Sequence, residues 1–377
     1  MVTHAHVPPR DTVPAAETPR GTAGEGMPGT AAVPSVATSA PGTPEPGRTV
    51  ADGAAPLAHV LRGGLVESVH LGHLVVLGPD GTVRLAVGDP DVAIWPRSSA
   101  KPVQALAMLD NGLDLPDPLL ALVAASHNGE PVHRAGVREI LSRAGLTPDD
   151  LRNTPDMPLH PPSAFAWQLA DHVEEGDGPG PARIAQNCSG KHAGMLATCV
   201  VNGWSRESYL EIDHPVQVEI REWLVRLTGV EPAHVTVDGC GAPLFSTTLS
   251  GLARAFGRIA GAPDDVEARV ARAMNAHPGM VGGEGREATL AMRAVPGLVA
   301  KDGADGVYGA GLPDGSAVAF KVLDGGPRPR PAILAAALRR AGAADVPGVD
   351  LSALEAMGDV PVLGGGHPVG GVEVAFS

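Results

Sequence analysis

The sequence predicts an α+β fold, in which one antiparallel sheet is built from both chain ends with helices inserted and packed on it. Two observations carry this. Apolar strand pairs folded around a Pro-Asp-Gly turn stand near opposite ends of the chain, and between them apolar residues recur mostly at helical spacing. Strands at the ends with helices between them place the two ends in one sheet that the helices cover.

Taken in order, residues 1–54 contain no Leu, Ile or aromatic residue and are dense in Pro, Gly, Ala and Thr. Such a segment buries too little apolar surface to offset its ordering entropy, so a disordered tail is expected, followed by one folded domain over 55–377. The tail lacks the basic start and apolar core of a secretory signal, which points to a cytoplasmic protein. His73–Leu77 and Thr82–Val87 flank Pro79-Asp80-Gly81 and read as a hairpin; Gly306–Tyr308 and Ala317–Val322 flank Pro313-Asp314-Gly315 and read as a second. Val216, Ile220, Trp223, Leu224 and Leu227 lie on one face of a helix ending near Gly229. Val137, Ile140 and Leu141 mark a shorter helix closed by Gly145, and Ala332–Ala341 is another.

The composition narrows the function. Hydrophobic residues at 44% and a mean hydropathy of +0.06 describe a soluble chain, and no apolar run approaches the ~18 residues of a membrane span. A net charge of -14 argues against nucleic acid, which needs a basic face. Three cysteines, an odd number, do not form a disulfide framework. All but four of the 28 basic residues are arginine; the lysines are Lys101, Lys191, Lys301 and Lys321. Lysine is retained where a compact amine must be able to lose its proton, which arginine cannot do.

Ser98 and Lys101 stand three positions apart in Arg97-Ser98-Ser99-Ala100-Lys101, ahead of Pro102. Proline is tolerated only in the first helical turn, so a helix is expected to begin near Ser98 or later, with Ser98 or Ser99 as its cap and the pair sharing one face. A serine nucleophile needs a base, and a lysine with a pKa near 10.4 is neutral only about once in 2,500 at pH 7. Burial or a second cation must lower that pKa. Lys301 is the candidate cation, because a sheet closed from both ends brings residues near 100 and 300 together. The bland alternative is a capping serine beside an exposed lysine. A third serine stands in Ala124-Ala125-Ser126-His127-Asn128-Gly129-Glu130, after the apolar run Leu119–Ala125, where a buried helix delivers polar groups to a cleft. Cys188 in Asn187-Cys188-Ser189-Gly190-Lys191-His192 and Cys240 in Asp238-Gly239-Cys240-Gly241 suit small buried thiols lining a pocket or, as the alternative, an open zinc site. Cys199 reads as core. The glycine-rich run Met280–Arg286 lacks the ending of a phosphate loop and reads as a turn or a substrate-side loop.

Together, Arg-Ser-Ser-x-Lys-Pro, Ser-His-x-Gly-Glu, Asn-Cys-Ser-Gly-Lys-His, Asp-Gly-Cys-Gly-x-Pro and Lys-x-Gly-Ala-x-Gly resemble, in that order, the rhizobial-type (class 3, asparaginase II) L-asparaginases. The resemblance runs from about residue 60 to the C-terminus. It implies a fold similar to serine β-lactamases and glutaminases, hydrolysis of L-asparagine to L-aspartate and ammonia, and a homodimer. It implies one Ser–Lys pair of Ser98 and Lys101, with Ser98 the nucleophile, and a second of Ser126 and Lys301. It implies zinc held by Cys188, Lys191 and Cys240, with Arg97, His127, Asp238 and His192 at the substrate. Lys321 matches no motif. Asn128 stands where a small residue such as serine is equally expected, and the tail has no counterpart in the family's pattern. The rival readings are a glutaminase or penicillin-recognising enzyme of the same architecture, and a non-catalytic zinc- or amino-acid-binding protein. The Ser-Asp-Asn signature of the penicillin-recognising group is absent, and Lys301-Asp302-Gly303 only partly mimics its Lys-Thr-Gly.

Overall fold

The structure, a computed structural model, describes residues 49–169 and 179–376. The tail expected over residues 1–54 lies outside the described residues up to residue 48, and residues 49–54 pass through a turn into the first strand. Strands β1 (Ala55–Arg62), β2 (Leu65–Leu77) and β3 (Val83–Val87) open the fold. Far along the chain come β4 (Val299–Asp302), β5 (Val307–Gly311) and β6 (Ala317–Val322), and then β7 (Pro361–Gly364) and β8 (His367–Val374). They form one antiparallel sheet in the order β7-β8-β1-β2-β6-β5-β4, with β3 also paired to β2. The seam between the chain ends is the β2–β6 ladder, where Leu77 faces Ala317 and Gly72 faces Val322. A sheet built from both ends with helices inserted is the expected fold, and both expected hairpins are present, turned at Gly81 and Gly315 with φ of 78° and 92°.

The inserted helices that matter here are α1 (Lys101–Asp110), α2 (Asp117–Val123), α3 (Ser189–Asn202), α4 (Leu249–Ala260) and α5 (Glu287–Ala294); α6 (Arg330–Ala341) precedes the last hairpin. The predicted helix around Trp223 spans Pro215–Thr228 and ends on Gly229 at φ 70°, a left-handed position that glycine adopts without a Cβ clash. Every residue of β5 is buried, because both faces of this part of the sheet are covered. On one face Phe256 of α4 presses onto Gly309 and Gly311; on the other Tyr308 and Phe320 stack with ring centres 5.3 Å apart. Among the described residues no helix is long and apolar enough to cross a membrane.

The expected serine cap fails, while the helix start falls after Ser98 with Pro102 in its first turn. Arg97–Ala100 form a 3-10 turn and α1 starts only at Lys101, with no side chain capping it. The Ser99 hydroxyl turns back to donate to the Pro96 carbonyl at 2.5 Å, and Arg97 adopts a left-handed φ of 51°. A helix cannot run through such a residue, so Pro102 falls in the first turn of a later start.

Seating α4 on the sheet requires glycine at position 311, where a Cβ would lie 2.1 Å from the Phe256 carbonyl oxygen. The neighbour is backbone and cannot rotate away. Gly311→Ala is therefore expected to cost about 2–3 kcal/mol, read as a lower urea midpoint; an unchanged midpoint would show that α4 does not sit on this strand.

Candidate active site

Helix α1, the end of α2, the loop before α3 and the end of β4 converge on one place. Lys101 is 1% exposed, and its Nζ donates to the Ala125 carbonyl at 2.5 Å and to Ser126 Oγ at 3.0 Å. Carbonyls at a helix C-terminus have no partner within the helix and carry partial negative charge, so the end of α2 suits a buried amine donor. The segment holding Ser126 is clamped: the N–H groups of Ser126, His127 and Asn128 donate to the carbonyls of Val281, Asn187 and Gly282. From the other side β4 delivers Lys301, fully buried, and Asp302. Gly303 lets β4 approach the Arg97–Ala100 turn, since a Cβ there would lie 2.7 Å from the Pro96 carbonyl oxygen. Residues near 100 and 300 thus meet as the sheet predicts.

The pairing within this cluster differs from the expected one. Lys101 bonds to Ser126 rather than to Ser98, and Lys301 donates to the Asp302 carbonyl at 2.8 Å and to its Oδ1 at 2.6 Å rather than to Ser126. The reason is chemical: an adjacent carboxylate is a stronger acceptor for a buried ammonium than a hydroxyl. Ser98 and Ser126 share the wall of a cavity of about 480 Å³ with Asn128, Asn187, Arg286 and Asp302. Burial lowers the Lys301 pKa most; Asp302 opposes this and Lys101 adds to it, leaving the ammonium at about 8. Burial alone would raise the Asp302 carboxyl, but Lys301, Arg286 and Arg330 hold it well below the usual carboxylate range.

Beside the cavity, the hairpin Val235–Val237/Pro243–Phe245 carries Asp238 and Cys240 in its turn. Cys188 and Lys191 stand at the start of α3, and Lys191 Nζ lies 3.2 Å from Cys240 Sγ. Facing the Cys240 sulfur and buried, the Cys188 thiol is pushed well up; facing Cys188 and then Lys191, Cys240 is pushed well down. Burial works to lower Lys191, but Cys240 and Cys188 raise it above the ordinary lysine value. Among the described residues no three His, Cys, Asp or Glu side chains converge to hold a metal. Two sulfurs and one amine nitrogen do converge here, a donor set that zinc accepts once the amine gives up its proton.

The four residues expected at the substrate also make contacts within the protein, and His192 Nε2 is buried without a hydrogen-bond partner. Arg97 donates to Asp238 Oδ1 at 2.7 Å and pairs with Asp305, so it ties the Ser98 turn to the Cys240 hairpin. His127 is fully buried: Nδ1 accepts from the Gly129 N–H, which leaves Nε2 to donate to Ser189 Oγ at 3.0 Å. Burial first, and then the charges of His133 and Lys101, push its pKa well down, so it is neutral. His192 lies beneath the thiols, with Nδ1 2.8 Å from Tyr209 Oη. Cys199 is core, as expected, and all three cysteines are free. Sequence reasoning missed Asn187, Glu287, Asp302 and Arg330 on the cavity wall. Asn187 and Asp302 each adjoin a motif residue, a signal that was readable; Glu287 and Arg330 had none.

Because the folded pKa of Lys301 is depressed, its stabilising contribution is complete above about 10.5, the ordinary lysine value, and is lost as pH falls through about 8. The parent should therefore gain stability between pH 8 and 10 relative to Lys301→Met, read from urea midpoints; parallel pH profiles would exclude a depressed Lys301.

No curated protein matches the sequence. Among solved structures, Mglu aligns at 14% identity over 76% of this chain and 65% of its own, with a TM-score of 0.37. This chain thus spans less than two thirds of that protein. A beta-lactamase from Mycobacterium bovis aligns at 15% identity over 76% of this chain and 94% of its own, with a TM-score of 0.36. Likenesses this distant carry no weight for function. The family described as L-asparaginase II matches residues 58–374, a span that contains every residue of the cluster above, and the chain belongs to that family.

Proposed function

We propose that the protein hydrolyses the side-chain amide of L-asparagine to L-aspartate and ammonia through an acyl-enzyme. The observation that carries this reading is the Lys101–Ser126 hydrogen bond on a cavity that also presents Ser98. Ser98 is the more exposed of the two hydroxyls and attacks the amide carbon. Its proton passes by way of Ser126 to neutral Lys101, which returns a proton to the leaving nitrogen as the C–N bond breaks. Water then cleaves the ester and aspartate leaves. Lys301, whose burial lowers its pKa to about 8, keeps positive charge beside the Lys101–Ser126 pair at neutral pH.

Family membership supports amide hydrolysis, while the preference for asparagine over glutamine is our reading. One methylene is worth about 1–3 kcal/mol in a pocket. Zinc is assigned to Cys188, Lys191 and Cys240, where it would supply positive charge beside the cavity. A cytoplasmic homodimer belongs to the same proposal.

Ammonia release from asparagine and glutamine tests it. Ser98→Ala and Lys101→Met should each lower kcat/KM by about a hundredfold to ten-thousandfold; variants as fast as the parent would remove both residues from the mechanism. Acyl label trapped on Ser126 instead of Ser98 would exchange the two roles. A parent that releases no ammonia, with or without zinc, would favour the amino-acid-binding reading, and nitrocefin turnover would favour the penicillin-recognising one. Metal content provides a separate test: the parent should hold about one zinc per chain, and Cys188→Ala or Cys240→Ala should lose it.

A further inference from the structure

The glycine-rich run Met280–Arg286 has no step in the reaction proposed above, yet its last residue stands on the wall of the cavity that holds Ser98 and Ser126. Backbone and side chain of this run both reach the Ser126 segment. The carbonyls of Val281 and Gly282 accept from the N–H groups of Ser126 and Asn128 at 3.0 and 2.8 Å. Gly283 is left-handed at φ 112°, and a Cβ there would lie 2.3 Å from the Asn128 amide nitrogen. The run comes this close to Asn128 because that position is glycine. Arg286 then stands immediately before α5, with its guanidinium turned to the cavity.

That guanidinium joins the two segments that carry Ser126 and Lys301. Its Nη2 donates to Asp302 Oδ2 at 2.7 Å and its Nη1 to Asn128 Oδ1 at 3.3 Å. The ion pair is well shielded, with side chains 16% and 10% exposed. The other oxygen of the same carboxylate, Oδ1, accepts from Lys301 Nζ at 2.6 Å. Asp302 is therefore a bridge with one oxygen committed to each cation. Asn128, two residues beyond Ser126, is held at its amide nitrogen as well, which donates to Glu130 Oε1 at 2.8 Å. A carboxylate held at one oxygen alone could turn about its own axis and carry Lys301 with it. The planar fork of an arginine prevents this and reaches Asn128 at the same time, which a lysine ammonium on a single stem does not.

We propose that Arg286 is a positioning residue for the reaction: through Asp302 it holds Lys301 off Ser126, and through Asn128 it holds the turn that presents Ser126 to Lys101. This rests on the amide-hydrolysis reading and adds to it a residue that exchanges no proton and forms no bond with the reacting atoms. The charges acting on Lys301 come from Asp302 on its own strand, Lys101 on α1 and Arg286 before α5. Arg330 of α6 acts on Asp302, and Glu287 of α5 and Tyr308 of β5 act on Arg286. Arg97 of the adjoining turn is engaged by Asp238 and Asp305, and Arg254 and Arg258 of α4 by carbonyls at the end of the Pro215–Thr228 helix. Burial lowers the Lys301 pKa most and Asp302 opposes it, while Lys101 and Arg286 add to the lowering. Lys301 therefore loses its positive charge as pH rises through about 8.

The test compares the parent with Arg286→Gln, which removes charge and fork together, and Arg286→Lys, which keeps the charge alone. On asparagine, Arg286→Gln should lower kcat by about a hundredfold with KM little changed. The alkaline limb of its pH profile should move to higher pH, because a cation that depresses Lys301 is gone. Arg286→Lys should keep the limb where the parent has it and recover only part of kcat, a result that reads position on its own should Arg286→Gln not fold. Full recovery by lysine would show that charge without position suffices, and a raised KM with kcat kept would make Arg286 a substrate contact; either outcome overturns the assignment while leaving amide hydrolysis intact. Urea midpoints supply a measurement without turnover. The stability that the parent gains over Lys301→Met between pH 8 and 10 should shrink when both proteins carry Arg286→Gln, since a folded pKa nearer the ordinary lysine value narrows the window. An undiminished gain would separate Arg286 from Lys301 and overturn the assignment even in a protein that releases no ammonia.

Discussion

The burial of three lysine amines is the constraint on which the rest of this structure depends. Lys101, Lys191 and Lys301 are among the largest fully buried side chains in the protein. A charge removed from water destabilises the fold by several kcal/mol unless it is partnered. Each lysine meets that requirement through a different element: the C-terminal end of α2, a cysteine on the far hairpin, and the next residue of its own strand. The fold around the cavity can be read as the arrangement that supplies those partners at once. Moving any one element would strand a buried charge.

That arrangement also explains why the backbone is unusual where it is. Arg97 holds a left-handed conformation, and its guanidinium reaches Asp238 and Asp305 on two other segments. The turn that presents Ser98 is therefore braced from both sides, and the strain in one residue is held by ion pairs made elsewhere. Gly303 allows β4 to close onto that turn. Catalytic geometry of this kind tolerates little slack, so the bracing residues matter as much as the hydroxyls they position.

The cluster has two electrostatic halves. Around Lys191 a thiolate balances the ammonium, giving a nearly neutral pocket of soft donors. Around Lys101 and Lys301 the cavity wall carries Arg286 and Asp302, and burial lowers the Lys301 pKa to about 8. The two halves communicate, since Lys101 acts electrostatically on Cys188 as well as on His127. A metal in the first half would therefore be felt in the second.

The sequence by itself determined the hairpins, the helices around Trp223 and Ala332, and the candidate serines and lysines of the site. These depend on local periodicity, turn chemistry and scarce residue types, all of which are written in consecutive letters. It also indicated that residues near 100 and 300 meet, because strands at both ends leave little other way to form a sheet. Only the tertiary structure decided which serine each lysine touches, that Asp302 outcompetes Ser126 for Lys301, and that His127 and His192 are internal supports. Those outcomes turn on differences of an ångström or two between competing acceptors from distant segments. Glu287 and Arg330 show the same limit, for they carry no motif and meet as a buried ion pair on the cavity wall only once the chain folds.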